Sequence, residues 1–250
     1  MKIWVTRAEQ DAAVLRANLI AQGHEVVVEP LLKVQFLELD KTELNDVQAL
    51  IATSRNGVRA AAASADDDFV RQLPLFAVGP GTASTARALG FVRTISGSSK
   101  AKHLLKIIER HTSVNGGPLL HLAGANLAFD LAGRLQEIGY HVLQPTVYIA
   151  HASQQLSAKF LPQLAAGDIH AVILLSPRTA HTYVKLIEAH QLVRCAQRLT
   201  HYCLSEAVAD QLFALSARRV VVAGRPNLDE LLSLTGQSTD IVALLDINNP

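Results

Sequence analysis

Cysteine is nearly absent: Cys195 and Cys203 are the two in a chain of 250 residues. Two thiols build neither a disulfide scaffold nor a four-cysteine zinc site. Aromatic residues make up only 5%, and neither charge is in surplus, with Lys+Arg 23 against Asp+Glu 22 and a formal net charge of +1. That balance supplies no basic face for nucleic acid or an anionic membrane. No uncharged apolar run reaches the roughly 18 residues of a membrane span. The opening Met1-Lys2-Ile3-Trp4-Val5-Thr6-Arg7 is too short an apolar run for a secretory signal. The expectation is a cytoplasmic protein with neither nucleic acid nor membrane as partner. Nothing signals an interface, so a monomer is expected.

Most familiar catalytic signatures are missing as well. There is no Gly-x4-Gly-Lys-Ser/Thr, and the first predicted strand runs into Thr6-Arg7-Ala8 rather than a Gly-x-Gly-x-x-Gly loop. Gly79-Pro80-Gly81 only superficially resembles a dinucleotide loop, because a proline separates the glycines and no third follows. A nucleotide-dependent enzyme is therefore disfavoured. Gly-x-Ser-x-Gly and His-Glu-x-x-His are both absent. His201 and Cys203 share one face of a predicted strand, but zinc needs further ligands at close spacing, so Cys203 reads as a buried strand residue. Asp66-Asp67-Asp68 reads as a solvated loop.

What the chain does have is 49% hydrophobic residues, dominated by Ala, Leu and Val, a balance that suits helices packed on parallel strands. Short apolar runs alternate with amphipathic stretches throughout. Strands are expected at Lys2–Val5, His24–Val28, Leu50–Thr53, Leu75–Val78, Phe91–Thr94, Leu119–Leu122, His141–Leu143, His170–Leu175, Tyr202–Leu204 and Arg219–Val222. Helices are expected at Glu9–Ala21, Arg55–Ala63, Ala83–Leu89, Ala101–Arg110, Leu127–Glu137, Thr179–Ile187, Ala207–Leu215 and Leu228–Leu234. The first presents Ala13, Leu15, Leu19 and Ile20 inward and ends at Gly23, where a positive φ is needed. This alternation predicts an α/β fold of flavodoxin- or Rossmann-like parallel sheets with helices on both faces.

The chain also repeats itself. Leu19-x3-Gly23 with His24, Val26 and Pro30 recurs as Leu135-x3-Gly139 with His141, Val142 and Pro145. Thr53-Ser54-Arg55-Asn56 recurs as Leu175-Ser176-Pro177-Arg178, and Ala101–Ile108 as Leu228–Leu234. Two similar α/β units follow, and the repeat alone would cut them near 1–113 and 118–236. The segments 31–37 and 146–150 follow matching prolines. They are either edge strands within each unit or a paired tie between the units.

In open α/β sheets ligands lie beyond the carboxyl ends of the strands. The turns expected there are Thr6-Arg7, Thr53-Ser54-Arg55-Asn56, Gly79-Pro80-Gly81-Thr82, Ala123-Gly124-Ala125-Asn126, Ser176-Pro177-Arg178-Thr179 and Ser205-Glu206. Small, hydroxyl-bearing and glycine residues dominate them. Such turns present backbone N–H groups at helix N-termini, where the dipole favours an anion. Singly, Ser54, Ser176 and Ser205 read as helix caps. Six such turns in two units point instead to an anion-binding cleft. Tyr148, in one of the suspected connecting segments, is open to two readings: packing, or a phenol placed to donate a proton or hydrogen bond to a departing group.

Taken in order, these pieces resemble the uroporphyrinogen-III synthase family over nearly the whole chain. The resemblance rests on Val5-Thr6-Arg7, Gly23 with Pro30-Leu31-Leu32, Thr53-Ser54-x-Asn56-x-Val58, Ala77-Val78-Gly79-x-x-Thr82-Ala83, Leu89-Gly90-Phe91, Gly124, Leu135-x3-Gly139, Val147-Tyr148 and Ser176-Pro177. It implies two similar lobes joined by a two-stranded connector, with domains exchanged relative to the simple repeat: 1–35 with 150–250, and 36–149. It further implies a cofactor-independent lyase that cyclises hydroxymethylbilane to uroporphyrinogen III, with loss of water and inversion of ring D, in tetrapyrrole and heme biosynthesis. On that resemblance Tyr148 is the catalytic residue. Arg7, Thr53, Ser54, Asn56, Gly79, Thr82, Gly124, Ser176 and Ser205 are substrate-binding positions. No metal or organic cofactor is implied.

The chain departs from the family pattern where Gly-x-x-Thr-Ala is replaced by Ser205-Glu206-Ala207-Val208, and where Ala123 stands for an arginine before Gly124. A competing reading with the same cleft is a non-catalytic two-lobed binding protein for a small anion, which needs no leaving-group donor. The tail 237–250 carries an apolar stretch, Ile241–Leu245, that docks on a lobe or stays loose.

Overall fold

In the computed structural model, which describes residues 1–44, 46–64, 68–97, 101–127 and 129–236, strands and helices alternate along the chain. The strands are β1 (Lys2–Val5), β2 (Glu25–Val28), β3 (Leu32–Phe36), β4 (Ala49–Ala52), β5 (Leu75–Ala77), β6 (Thr94–Ser96), β7 (Leu119–His121), β8 (Ala123–Gly124), β9 (Val142–Leu143), β10 (Thr146–Ala152), β11 (Ala171–Leu174), β12 (Thr200–Cys203) and β13 (Arg219–Val222). The helices are α1 (Glu9–Ala21), α2 (Arg55–Ser64), α3 (Asp68–Gln72), α4 (Pro80–Ala88), α5 (Ala101–His111), α6 (Leu131–Glu137), α7 (Leu161–Ala166), α8 (Pro177–Ala189), α9 (Val193–Ala196), α10 (Glu206–Ala209) and α11 (Leu228–Thr235). Asp66, Asp67 and the tail 237–250 lie outside the described residues. No helix among the described residues is long and apolar enough to cross a membrane.

The chain divides into two compact units. Unit 1 comprises Met1–Lys33 and His151–Pro250, and unit 2 comprises Val34–Ala150. Unit 1 holds a parallel sheet in the order β13-β12-β11-β1-β2, and unit 2 one in the order β6-β5-β4-β7-β9. Numbered from β4, unit 2 reads 3-2-1-4-5. Unit 1 reads the same when numbered from β11 and continued through β1 and β2. The repeat is therefore present, but unit 1 begins the chain at its fourth strand and resumes its first strand at β11. A cut near residue 115 misses this, because the repeat pairs β1 with β7 and β11 with β4.

Each sheet buries both faces, as doubly wound sheets do. In unit 2, Leu50, Ala52, Leu75, Ala77, Leu120 and Leu122 pack on one side with α2 and α4. Ala49, Ile51, Phe76 and Leu119 pack on the other with α5 and α6. Unit 1 alternates likewise, with Trp4, Val172, Leu174 and Cys203 on one face and Ile3, Val5, Ala171, Ile173 and Tyr202 on the other. The alternation follows from the two-residue period of a strand.

Segments β3 and β10, on which the chain passes from one unit to the other and back, are neighbours in a separate sheet ordered β3-β10-β8. Of the two readings of segments 31–37 and 146–150, the paired tie is the one found. The Leu37 N–H donates to the Val147 carbonyl at 2.9 Å, and the Ser153 N–H to the Leu31 carbonyl at 2.9 Å.

Several expected boundaries move for local reasons. Helix α1 buries Ala12, Leu15 and Leu19, an i, i+3, i+7 stripe, while Ala13 is exposed and Ile20 is 53% exposed. Gly23 does take a positive φ, +82°. The strand expected at Phe91–Thr94 begins only at Thr94. Phe91 instead closes α4, its N–H donating to the Ala86 carbonyl at 3.0 Å and its buried ring packing in the core. Helix α6 starts at Leu131 because the Asp130 carboxylate accepts the Gly133 N–H at 2.9 Å and caps it there. The helix expected at Ala207–Leu215 is a short α10 followed by a 3-10 turn, Asp210–Leu215.

Candidate active site

The strand order fixes one crevice position in each unit. In unit 2 the chain leaves β4 to form β5 and β6 on one side, then returns to form β7 and β9 on the other, so the order reverses between β4 and β7. The carboxyl ends of two such strands are where open α/β sheets take ligands. Thr53 and Ser54 follow β4, and Leu122 to Gly124 follow β7. In unit 1 the reversal falls between β1 and β11, followed by Thr6-Arg7 and Ser176.

Unit 2 brings together seven of the expected residues: Thr53, Ser54, Asn56, Gly79, Thr82, Gly124 and Tyr148. The Val78 N–H donates to the Ala52 carbonyl and the Leu122 N–H to the Ile51 carbonyl, both at 2.9 Å, aligning the ends of β4, β5 and β7. Helix α2 then packs so close that a Cβ on Gly57 would strike the Leu122 carbonyl. The Ser54 hydroxyl accepts the Gly57 N–H at 3.1 Å, acting as the helix cap that its sequence position allows. The Asn56 carboxamide accepts from the Arg59 guanidinium at 3.0 Å, so its oxygen is turned along α2. Gly79 precedes α4 with φ +78° and ψ 160°, a conformation open to glycine and costly for other residues. Thr82 is buried in the first turn of that helix. The N-termini of α2 and α4 thus lie on this edge, each carrying the partial positive charge of its dipole. The Arg55 guanidinium lies across Gly81, where an added Cβ would stand 2.6 Å from Nη2. Arg55 was written into the turn but given no role.

Tyr148 is pinned by its backbone. It faces Gly124 in the parallel pairing of β10 with β8, and its carbonyl accepts the Ala125 N–H at 3.1 Å. Its ring lies on Gly124: a Cβ there would stand 2.6 Å from the phenol oxygen and 2.8 Å from Cε2. The adjacent Val147 is fully buried, while Tyr148 is half-buried. Both pack on the same core of unit 2, Val147 within it and Tyr148 at its margin.

His121 was missed. It ends β7 fully buried, with Nε2 at 3.4 Å from the Thr53 hydroxyl and Nδ1 without a hydrogen-bond partner. Burial pushes its pKa below the usual imidazole value, against the opposing pull of the Gln144 side chain and the Asp130 carboxylate. The available signal was one polar residue inside the apolar run Leu119-Leu120-His121-Leu122.

In unit 1 the Thr6 hydroxyl donates to the Ile173 carbonyl at 2.8 Å and ties the ends of β1 and β11, bringing Arg7 and Ser176 to one edge. Ser176 caps α8, accepting the Thr179 N–H at 3.2 Å and pairing with the Thr179 hydroxyl at 2.8 Å. Ser205 precedes α10 but its side chain does not cap it. Cys203 is buried in β12, as expected, and burial pushes its thiol up to about 12. Among the described residues no group of three or more His, Cys, Asp or Glu is placed to hold a metal.

A profile of the family described as uroporphyrinogen-III synthase HemD matches residues 13–233. Among solved structures, uroporphyrinogen-III synthetase from Helicobacter pylori is similar, with 18% identity, a TM-score of 0.63, and coverage of 94% of this chain and 97% of that one. A mutant uroporphyrinogen III synthase from Thermus thermophilus matches over 94% of this chain and 96% of that one, with 16% identity and a TM-score of 0.49. No curated protein sequence matches. The profile spans most of the chain, with Tyr148 and every strand-end turn except Thr6-Arg7 included, and the chain therefore belongs to the uroporphyrinogen-III synthase family.

Proposed function

We propose that the chain cyclises hydroxymethylbilane to uroporphyrinogen III with Tyr148 as the group that assists departure of the substrate hydroxyl. The observation that carries this is the seating of the Tyr148 ring on Gly124, which leaves the phenol at the carboxyl edge of the unit 2 sheet, beside the reversal of strand order. The phenol donates its proton to the hydroxymethyl oxygen as the C–O bond breaks. The oxygen takes the bonding pair and leaves as water, while the pyrrole nitrogen lone pair fills the electron gap. Because the electron-rich pyrroles drive ionisation, the protein need supply only a donor, a binding surface and a fixed chain geometry. The electrophilic methylene so formed bonds to the already substituted α-carbon of ring D, giving a spiro intermediate. The bond from that carbon to its former methylene bridge then breaks, and the freed methylene bonds to the unsubstituted α-carbon of ring D, which inverts the ring. The proton lost from that carbon returns to the Tyr148 phenolate.

The substrate is a polycarboxylate. Thr53, Ser54, Asn56, Gly79, Thr82 and Gly124 in unit 2, with Arg7, Ser176 and Ser205 in unit 1, lie at sheet edges where backbone N–H groups and hydroxyls are concentrated. That match suits a nearly neutral protein better than a wall of lysines. The two units are read as two domains, 1–35 with 150–250 and 36–149, a reading supported by their shared strand order. The enzyme is read as a cytoplasmic monomer.

The experiment is to supply hydroxymethylbilane and resolve the product isomers. Isomer III should predominate over the spontaneously formed, non-inverted isomer I. Isomer I alone, at the uncatalysed rate, overturns the assignment and leaves an anion-binding protein.

A further inference from the structure

Resting on that reading, we infer that His121 is a positioning residue that turns the Thr53 hydroxyl proton outward, toward a substrate carboxylate. His121 closes β7 and Thr53 follows β4, the two strands that flank the reversal of order in unit 2. Its imidazole is fully buried beside Ile51 and Leu119, with Nε2 at 3.4 Å from Thr53 Oγ1. Nδ1 has no partner.

Those contacts select a tautomer. A neutral imidazole carries one N–H. On Nδ1 that hydrogen would be a buried donor with no acceptor in hydrogen-bonding geometry, the Gln144 side chain being near without bonding it, and Nε2 would compete for the Thr53 proton. On Nε2 the hydrogen is donated to Thr53 Oγ1, and Nδ1 keeps only a lone pair, the cheaper group to leave unmade. The threonine oxygen is then satisfied from behind. Its own hydrogen has to point away from His121, toward the open side of the half-buried turn. A carboxylate accepts and never donates, so a hydroxyl with its proton aimed outward suits it, and one aimed inward does not. Burial keeps the imidazole uncharged, with Asp130 and Gln144 the groups that oppose this. A purely structural role argues for leucine here, as in the rest of the strand, because a half-satisfied buried imidazole costs stability.

Two measurements test the role. Nitrogen-15 NMR of the full chain at neutral pH should show His121 as the Nε2–H tautomer. The Nδ1–H form, or an imidazolium, overturns the proposal whatever the activity. With hydroxymethylbilane as substrate, His121→Leu should raise KM about tenfold, the value of one hydrogen bond to a charged group, with kcat within about twofold of the parent. Thr53→Val should match it, and the double variant should be no worse than Thr53→Val. His121→Gln, which places an N–H near the position of Nε2, should recover KM to within about threefold of the parent. An unchanged KM in His121→Leu, or a glutamine variant as weak as the leucine one, removes the role. A parent protein that yields no isomer III fails the functional reading instead, and the tautomer result stands apart from that failure.

Discussion

The Tyr148 phenol and Gly124 are so close that the hydrogen of the glycine is a steric requirement: a methyl in its place would stand 2.6 Å from the phenol oxygen. Gly124 has no positive φ to explain it. Its value lies in the approach it allows. Gly124→Ala should therefore push the ring away and reduce kcat on the order of 10²-fold, the usual cost of displacing a reacting group by about an ångström. The change in unfolding free energy should stay within about 1–3 kcal/mol, typical of local overpacking. Steady-state rates measured beside urea melts separate the two. A variant with normal kcat removes the link between the glycine and the phenol.

Tyr148→Phe takes away the hydroxyl and keeps the ring. The aromatic contact with Gly124 and the packing beside Val147 survive, so the melting temperature should hardly move. The rate of isomer III formation should fall about 10²-fold, the lower range for a positioned proton donor. Initial rates by isomer-resolved chromatography give the answer, and parent-like turnover would remove the phenol from the mechanism.

Much of this was legible from residues alone, and the reasons are specific. Strands such as Lys2–Val5 and Arg219–Val222 were readable because each is a short apolar run between turn signals. The strand-end turns were readable because Ser54 and Ser176 are capping residues at helix starts, which the hydrogen bonds bear out. Phe91 was misread as a strand residue because an apolar residue after Gly90 serves a helix end equally well. His121 was missed because its significance is a distance to Thr53, 68 residues away in the chain, and pairing of β4 with β7 is not written in either segment. The permuted start of unit 1 was hidden from the repeat, since both orders carry the same local pattern, and only the family resemblance implied it.

Removal of metal should leave catalysis intact. The pyrrole nitrogens of the substrate supply the electrons that expel the hydroxyl, and a phenol is a sufficient donor for a departing hydroxide. Exhaustive chelation followed by assay in metal-free buffer should return the parent rate of isomer III formation. A loss restored by one added divalent ion would show that the donor is a metal-bound group rather than Tyr148.

The Tyr183 hydroxyl lies 2.9 Å from His201 Nε2 in the core of unit 1, with His201 Nδ1 at 3.4 Å from the Arg219 carbonyl. The carbonyl can only accept, so Nδ1 carries the hydrogen and Nε2 accepts from the phenol. Both ring nitrogens of this neutral imidazole are satisfied, and a proton added at Nε2 would reverse the bond, forcing the phenol to accept and leaving its own hydrogen without a partner in the core. Burial accordingly holds the His201 pKa down to about 4, against hydrogen bonds to the Arg219 and Leu199 backbone that favour the charged form. In the unfolded chain it returns to about 6.5. The unfolded state thus binds the proton first as pH falls. The stabilisation is full above about 6.5 and is lost progressively between there and 4, amounting to about 2 kcal/mol at pH 5 by linkage. His121, also depressed, acts in the same direction. Trp4, the chain's one tryptophan, is buried with its ring centre 5.4 Å from that of Tyr183 and reports unfolding of this core. Urea melts followed by its fluorescence at pH 7.5 and pH 5 should show the parent losing about 2 kcal/mol more than His201→Gln, which cannot titrate. Equal losses in the two proteins would place the acid sensitivity elsewhere.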